Sequence, residues 1–275
     1  MRTSKAWLCV AVSSALWLAS TVGLVAQDVP GIVVDRVHLP RPSEVRVGDA
    51  HVGDAIATIA RFDLRRYQLT FLTQRDGAMR PLDRWAADMH LAGGINAGMF
   101  LPSGRPCGFV KLRGEVLSAR RAGNHEGAIA FDPLGRSSPM GIGGPGCAQT
   151  FEALGTQYGS ILQARRLLID CEGRPTTWRT GRYSSAALGV DREGRAVLVH
   201  VRTPYRMNVL ARMLAAPELG LRGLVYMEGG PEASLVVNAE GQRLALMGSW
   251  EDGFHPADDL HEMWDLPNVV GLIGR

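Results

Sequence analysis

Lysine is almost missing from this 275-residue chain: Lys5 and Lys111 are the only two among 30 basic residues. Several motifs are missing too. There is no GxSxG elbow, no HExxH helix and no Walker loop. These absences argue against serine-hydrolase, zincin and nucleotide-binding chemistry. Gly141-Ile142-Gly143-Gly144-Pro145-Gly146 is glycine-rich but lacks the lysine that grips phosphates. Net charge is only +3 and falls to +1 without Arg2 and Lys5, which leaves no basic footprint for nucleic acid. Beyond residue 26 no run is long and apolar enough to span a bilayer.

Arg2 and Lys5 precede an apolar run from Ala6 to Val25, and Leu24-Val25-Ala26 offers the small residue a signal peptidase needs. Residues 1–26 therefore read as a signal peptide, with an uncleaved anchor as the competing reading. Residues 27–50 follow as an extended lead-in, and 51–275 as one domain. The expected product is secreted or periplasmic, with no membrane partner after cleavage. Cys9 lies in the leader, which leaves Cys107, Cys147 and Cys171 for one disulfide and one thiol, the pairing undetermined. None is placed for CxxC or zinc-finger spacing, so no metal site is assigned.

Short alternating runs predict strands at 56–63, 67–73, 92–96, 107–112, 127–132, 158–163, 185–190, 195–201, 222–228, 233–238 and 269–273. The first two are expected to pair with each other. Helices are expected at 81–91, with Pro81 in its first turn, and at 208–219, with Asn208 as its cap. Residues 135–148 read as a long surface loop. Many strands and few helices, without regular alternation, define an α+β fold: a single domain on a mixed, largely antiparallel sheet with a few flanking helices.

Four segments carry candidate chemistry. Leu224 to Val236 is an apolar strand that delivers Glu228 to its end, where Gly229 and Gly230 permit close backbone approach and Glu232 follows. Asn96 ends another strand amid Gly93, Gly94 and Gly98, where an amide can bond a hydroxyl or phosphate. Gln157 and Ser160 flank Gly159. Arg182 opens a hairpin whose second strand ends at His200 and Arg202. Each also has a plain structural reading as a turn, cap or hairpin.

In this order the segments resemble the phosphodiester glycosidase family, which includes the enzyme that uncovers mannose 6-phosphate by removing N-acetylglucosamine. Asn96-Ala97-Gly98-Met99-Phe100 matches one family motif in full, while Gln157 and Gly159 match a second with Ser160 in place of Pro. Arg182 through Gly189 matches a third loosely. Glu228-Gly229-Gly230 stands where the family has Asp-Gly-Gly, and Pro231-Glu232-Ala233 replaces its small and serine residues. The resemblance spans roughly residues 55–240. It implies an exported hydrolase that cleaves a sugar from a sugar-1-phosphodiester or related glycan. Glu228 would serve as base or cation stabiliser, Asn96 would orient the substrate, and Arg182 or Arg202 would hold phosphate. Glu232 is a second acid. Other readings are a non-catalytic carbohydrate-binding or envelope protein, or a glycosidase of another linkage. No cofactor is required by the sequence, and a divalent cation is compatible with acids near phosphate, although no loop has calcium-binding spacing.

Overall fold

The computed structural model describes residues 30–42, 46–47, 50–178, 181–239 and 242–275. The expected signal peptide lies outside the described residues. Among the described residues three large antiparallel sheets and one two-stranded ribbon, Arg46–Val47 with Ala50–His51, make up the fold. The first has six strands in the spatial order Ile32–His38, Ile56–Phe62, Ala196–Arg206, Arg182–Asp191, Leu221–Gly229 and Arg166–Ile169. The second orders Met140–Gly143, Gly127–Pro133, Tyr158–Ala164, Val110–Leu112 and Glu115–Ser118. The third orders Gln242–Met247, Ser234–Ala239, Gly93–Asn96, Asn268–Gly274 and Tyr67–Thr73. The α+β expectation holds.

One core joins all three sheets. Phe62, Leu188, Leu198 and Met227 from the first meet Ile129, Phe131 and Leu162 from the second and Ile95, Leu235 and Val270 from the third. Each sheet also carries a helix on its other face. Met207–Leu214 covers the first with Leu210 and Leu214, Phe151–Gln157 covers the second with Leu154, and Leu82–Asp88 covers the third with Leu82 and Trp85. Burial on both faces explains why many strands read as nearly continuous apolar runs. Trp85 also donates from its indole nitrogen to the Leu266 carbonyl at 2.9 Å, so its one polar atom is satisfied inside the core.

Several expectations are corrected. Ile56–Phe62 and Tyr67–Thr73 do not pair: the former lies between Ile32–His38 and Ala196–Arg206, the latter beside Asn268–Gly274. The turn at Asp63, whose carbonyl accepts from the amides of Arg66 and Tyr67, sends the chain from one sheet to another. Asn208 is not the cap of its helix, which begins at Met207 with Arg206 before it. Residues 135–148 contain the strand Met140–Gly143, whose glycines admit Leu154 and Tyr158 to close packing. In the segment read as a lead-in, Ile32–His38 forms a seven-residue edge strand. Among the described residues no helix is long and apolar enough to cross a membrane. Cys147 and Cys171 form the disulfide, with Cα atoms 4.9 Å apart, and Cys107 is the free thiol.

Candidate functional site

Glu228 sits one residue before the end of Leu221–Gly229, where the ladder slips. Ala187 opposes Tyr226 but Ala186 opposes Glu228, so Met227 is the extra residue of a bulge. Strict alternation therefore stops before the acid. Bulges re-aim side chains, and this one stands at the mouth of the sheet. Oε2 of Glu228 is buried and has no hydrogen-bond partner among the described residues. Burial foremost, then the charges of Glu232 and Glu251, push its acidity well above the usual carboxylate range, with Arg165 opposing.

Two further glutamates close on the same point. A side-chain carbon placed on Gly230 would lie 2.6 Å from Oε2 of Glu251 and 3.5 Å from Oε2 of Glu232. Those two oxygens are consequently at most about 6 Å apart. Gly230 has a φ of 72°, which suits glycine, and the missing side chain leaves room for the acids. The carboxyl of Glu232 is pushed up to about 7, mainly by burial, then by Glu251 against its own backbone amide and His255. Glu251 is raised by burial and lowered by Arg165. The three acids act on one another's charge and titrate as one coupled set.

Glu251 is positioned by Ser184, a fully buried residue. The Ser184 hydroxyl donates to the Arg202 carbonyl at 2.6 Å and accepts from the amides of Ser249 and Trp250 at 3.0 and 3.1 Å. The Ser184 amide donates to the Trp250 carbonyl. Segment 249–251 is thereby fastened to the strand edge beside Tyr183, which bridges Glu251.

Asn96 ends its strand almost fully buried, its Oδ1 accepting from the Ser234 amide at 3.1 Å while Nδ2 finds no partner. Gly98, at φ 62°, lies open except for the Met227 carbonyl at 3.9 Å from where its side chain would start. That contact brings the Asn96 turn against the strand end bearing Glu228. The amide of Cys107 bonds the Met99 carbonyl, and its thiol is raised by burial and then by the Glu228 charge, with Arg120 opposing. His200 lies in the same cross-strand row, opposite Ala186 as Glu228 is, but burial lowers it to about 4 and leaves it neutral.

The other expected residues have different surroundings. Ser160 bonds Asp132 and accepts from the Arg113 amide, while Gln157 accepts from Gln149. Ser160 lies in the second sheet and Gln157 ends the helix that covers it; Ser160 is five residues back from Arg165, about 17 Å along an extended strand. Arg182 is held by Asp252 at 3.1 Å. Arg202 is spent on Asp258 and the carbonyls of Met247 and Leu260. Gly94 faces Leu82 and Leu91 and serves helix packing. Gly229 is closed in by the Tyr226 hydroxyl, Tyr183 and the Ser184 carbonyl, so it accommodates the protein's own groups.

Sequence reasoning missed Glu251, Arg165 and the aromatic bracket of Trp178, Tyr183 and Tyr226. Trp178 stacks on Tyr183 at 6.2 Å and meets Tyr226 edge-on at 5.2 Å. The Arg165 guanidinium lies 5.1 Å over Trp178. The run Gln163-Ala164-Arg165-Arg166, a strand end followed by two basic residues, was the available signal. Among the described residues no group of three or more His, Cys, Asp or Glu is arranged to hold a metal ion.

The scaffold is glycosidase-like: three rigid sheets bring acids and an amide to one strand end. The phosphodiester glycosidase model matches residues 90–273, and the chain belongs to that family. Among solved structures, the catalytic domain of zebrafish N-acetylglucosamine-1-phosphodiester alpha-N-acetylglucosaminidase, auto-inhibited by its pro-peptide, is 14% identical with a TM-score of 0.61, over 94% of this chain and 87% of that one. A hypothetical protein from Synechocystis is 17% identical with a TM-score of 0.61, over 89% of this chain and 62% of that one, so the chain spans about three fifths of its length. A protein from Burkholderia pseudomallei is 12% identical with a TM-score of 0.51, over 82% and 75%. At these identities the likeness concerns the fold alone. No curated protein matches the chain.

Proposed function

We propose that the protein is an exported glycosidase that releases a sugar from a sugar-1-phosphodiester or related glycan. The observation that carries this reading is the meeting of Glu232 and Glu251 at Gly230, within charge range of the buried Glu228, with the Asn96 turn packed against the same strand end. Glycosidic cleavage passes through an oxocarbenium-like state that carboxylates stabilise. Glu251, relieved by Arg165, is the acid most readily ionised and accepts the proton of the attacking water. Glu228 and Glu232, both held toward the protonated form, supply a proton to the departing oxygen as the bond to the anomeric carbon breaks. Asn96 directs its free amide hydrogens at a sugar or phosphate oxygen. Gly98, Gly229 and Gly230 keep side-chain bulk away. Export is supported by the leader and by the Cys147–Cys171 disulfide, a bond favoured in oxidising compartments.

One observation favours a second reading, an ordinary O-glycosidase. The Oε2 atoms of Glu232 and Glu251 are at most about 6 Å apart, a bound that admits the roughly 5–5.5 Å spacing of retaining carboxyl pairs. Purified protein from Gln27 onward is screened against sugar-1-phosphodiesters and aryl glycosides, with Glu228→Gln as control. Turnover of a phosphodiester, reduced at least a hundredfold in the control, supports the first reading; full activity in a folded Glu228→Gln protein sinks the site assignment. Turnover of aryl glycosides alone favours the second.

A further inference from the structure

We infer that Arg165, braced on Trp178, is the residue that selects an anionic group next to the scissile bond. This rests on the phosphodiester reading and extends it to a residue none of the recognised segments contains. Arg182 and Arg202 are each occupied by a carboxylate, and Arg202 by two carbonyls as well. Arg165 differs. Its guanidinium has no hydrogen-bond or ion-pair partner among the described residues, and the residue is half-buried.

Its place follows from the sheet. Arg166 opposes Tyr226 and Leu167 opposes Val225 in an antiparallel pair, so the chain at Arg165 runs alongside Met227 and Glu228. The side chain does not drift freely from there, because its guanidinium stacks at 5.1 Å over Trp178, whose ring is wedged against Tyr226 and Tyr183. The Tyr226 hydroxyl reaches the space beside Gly229, which links the bracket to the acid cluster. A planar cation stacked on an aromatic face keeps its edge donors available for a bidentate oxyanion. Arg165 also opposes the charges of Glu228 and Glu251, so an entering phosphate finds one cation set against three acids. Without that cation the acids would repel the anionic substrate. With it, the site accepts one negative group at one place.

Binding and turnover separate this inference from the reading beneath it. Calorimetric titration compares N-acetylglucosamine 1-phosphate with the matching methyl glycoside on the wild-type protein, Arg165→Gln, Arg165→Lys and Trp178→Leu. The wild type is expected to prefer the phosphate-bearing sugar. Arg165→Gln should reduce that preference by about ten- to hundredfold, the range expected for a charge-assisted hydrogen bond. Arg165→Lys should regain part of it, and Trp178→Leu should shift it in the same direction as Arg165→Gln. In turnover the loss should fall mainly on KM for the phosphodiester. A wild type without preference for the phosphate, or a preference unchanged in a folded Arg165→Gln protein, overturns the inference. A protein that binds the phosphate through Arg165 yet hydrolyses no phosphodiester leaves Arg165 assigned and refutes the catalytic reading instead.

Discussion

Replacing Glu232 with glutamine tests the electrostatics of the cluster without reference to any substrate. In the folded protein its carboxyl titrates at about 7, against an ordinary 4.5. Between those values the native state keeps a proton that the unfolded chain releases. Native protein thus binds more protons in this window, and its stability falls as pH rises from about 4.5 to about 7, then levels off. At 1.36 kcal/mol per unit the full cost is about 3 kcal/mol, and about 2 kcal/mol once water reaching the half-buried group is allowed for. Glutamine keeps the shape of the protonated acid and cannot ionise. Glu232→Gln should therefore match the wild type at pH 4 and exceed it by about 2 kcal/mol at pH 8. Urea unfolding followed by tryptophan fluorescence at pH 4, 6 and 8 reads both proteins. Glu228 and Glu251 titrate in both, so the difference isolates Glu232 and its coupling to them. A difference that is constant with pH refutes the reasoning, whereas the absolute stability of either protein also carries His200, whose lowered titration adds stability as pH rises from about 4.

Ser184→Ala removes the acceptor of two buried amides and one donated bond, and should cost about 2–4 kcal/mol in urea unfolding while reducing turnover through Glu251. Gly93→Ala would drive a methyl into the fully buried Phe62 ring and should cost about 1–3 kcal/mol, seen as a lowered Tm. Cys171→Ser opens a disulfide spanning 24 residues and should cost about 3 kcal/mol. Wild-type protein in excess reductant should fall to the same midpoint as that variant.

Strand existence was readable because apolar residues in both faces of a buried strand leave runs such as Ala196 to Val201 and Leu224 to Met227. Partnership was not. Ile56–Phe62 and Tyr67–Thr73 lie four residues apart yet join different sheets, because each is matched to an apolar surface far away in sequence. Helix Phe151–Gln157 escaped notice because Leu154 is its one buried residue and no helical period shows, although Thr150 caps it by accepting from the Ala153 amide. At the site, Glu228, Glu232 and Asn96 announced themselves through neighbouring glycines. Glu251, between Gly248 and Gly253, ends no apolar strand, and its position depends on Ser184, 67 positions earlier in numbering. Arg182 and Arg202, at strand ends, carry no sequence sign of the carboxylates the fold sets beside them, Asp252 and Asp258.

The slip at Met227 means that the aim of Glu228 is set by counting residues more than by which residues they are. Exchanging one apolar neighbour for another leaves the offset between Ala186 and Glu228 intact. Removing a single residue ahead of the acid would let the ladder close without an extra member and turn the carboxyl away. The strand can thus absorb much change in composition while tolerating almost none in length, and a longer acid can occupy this position as long as the spacing beneath it is kept.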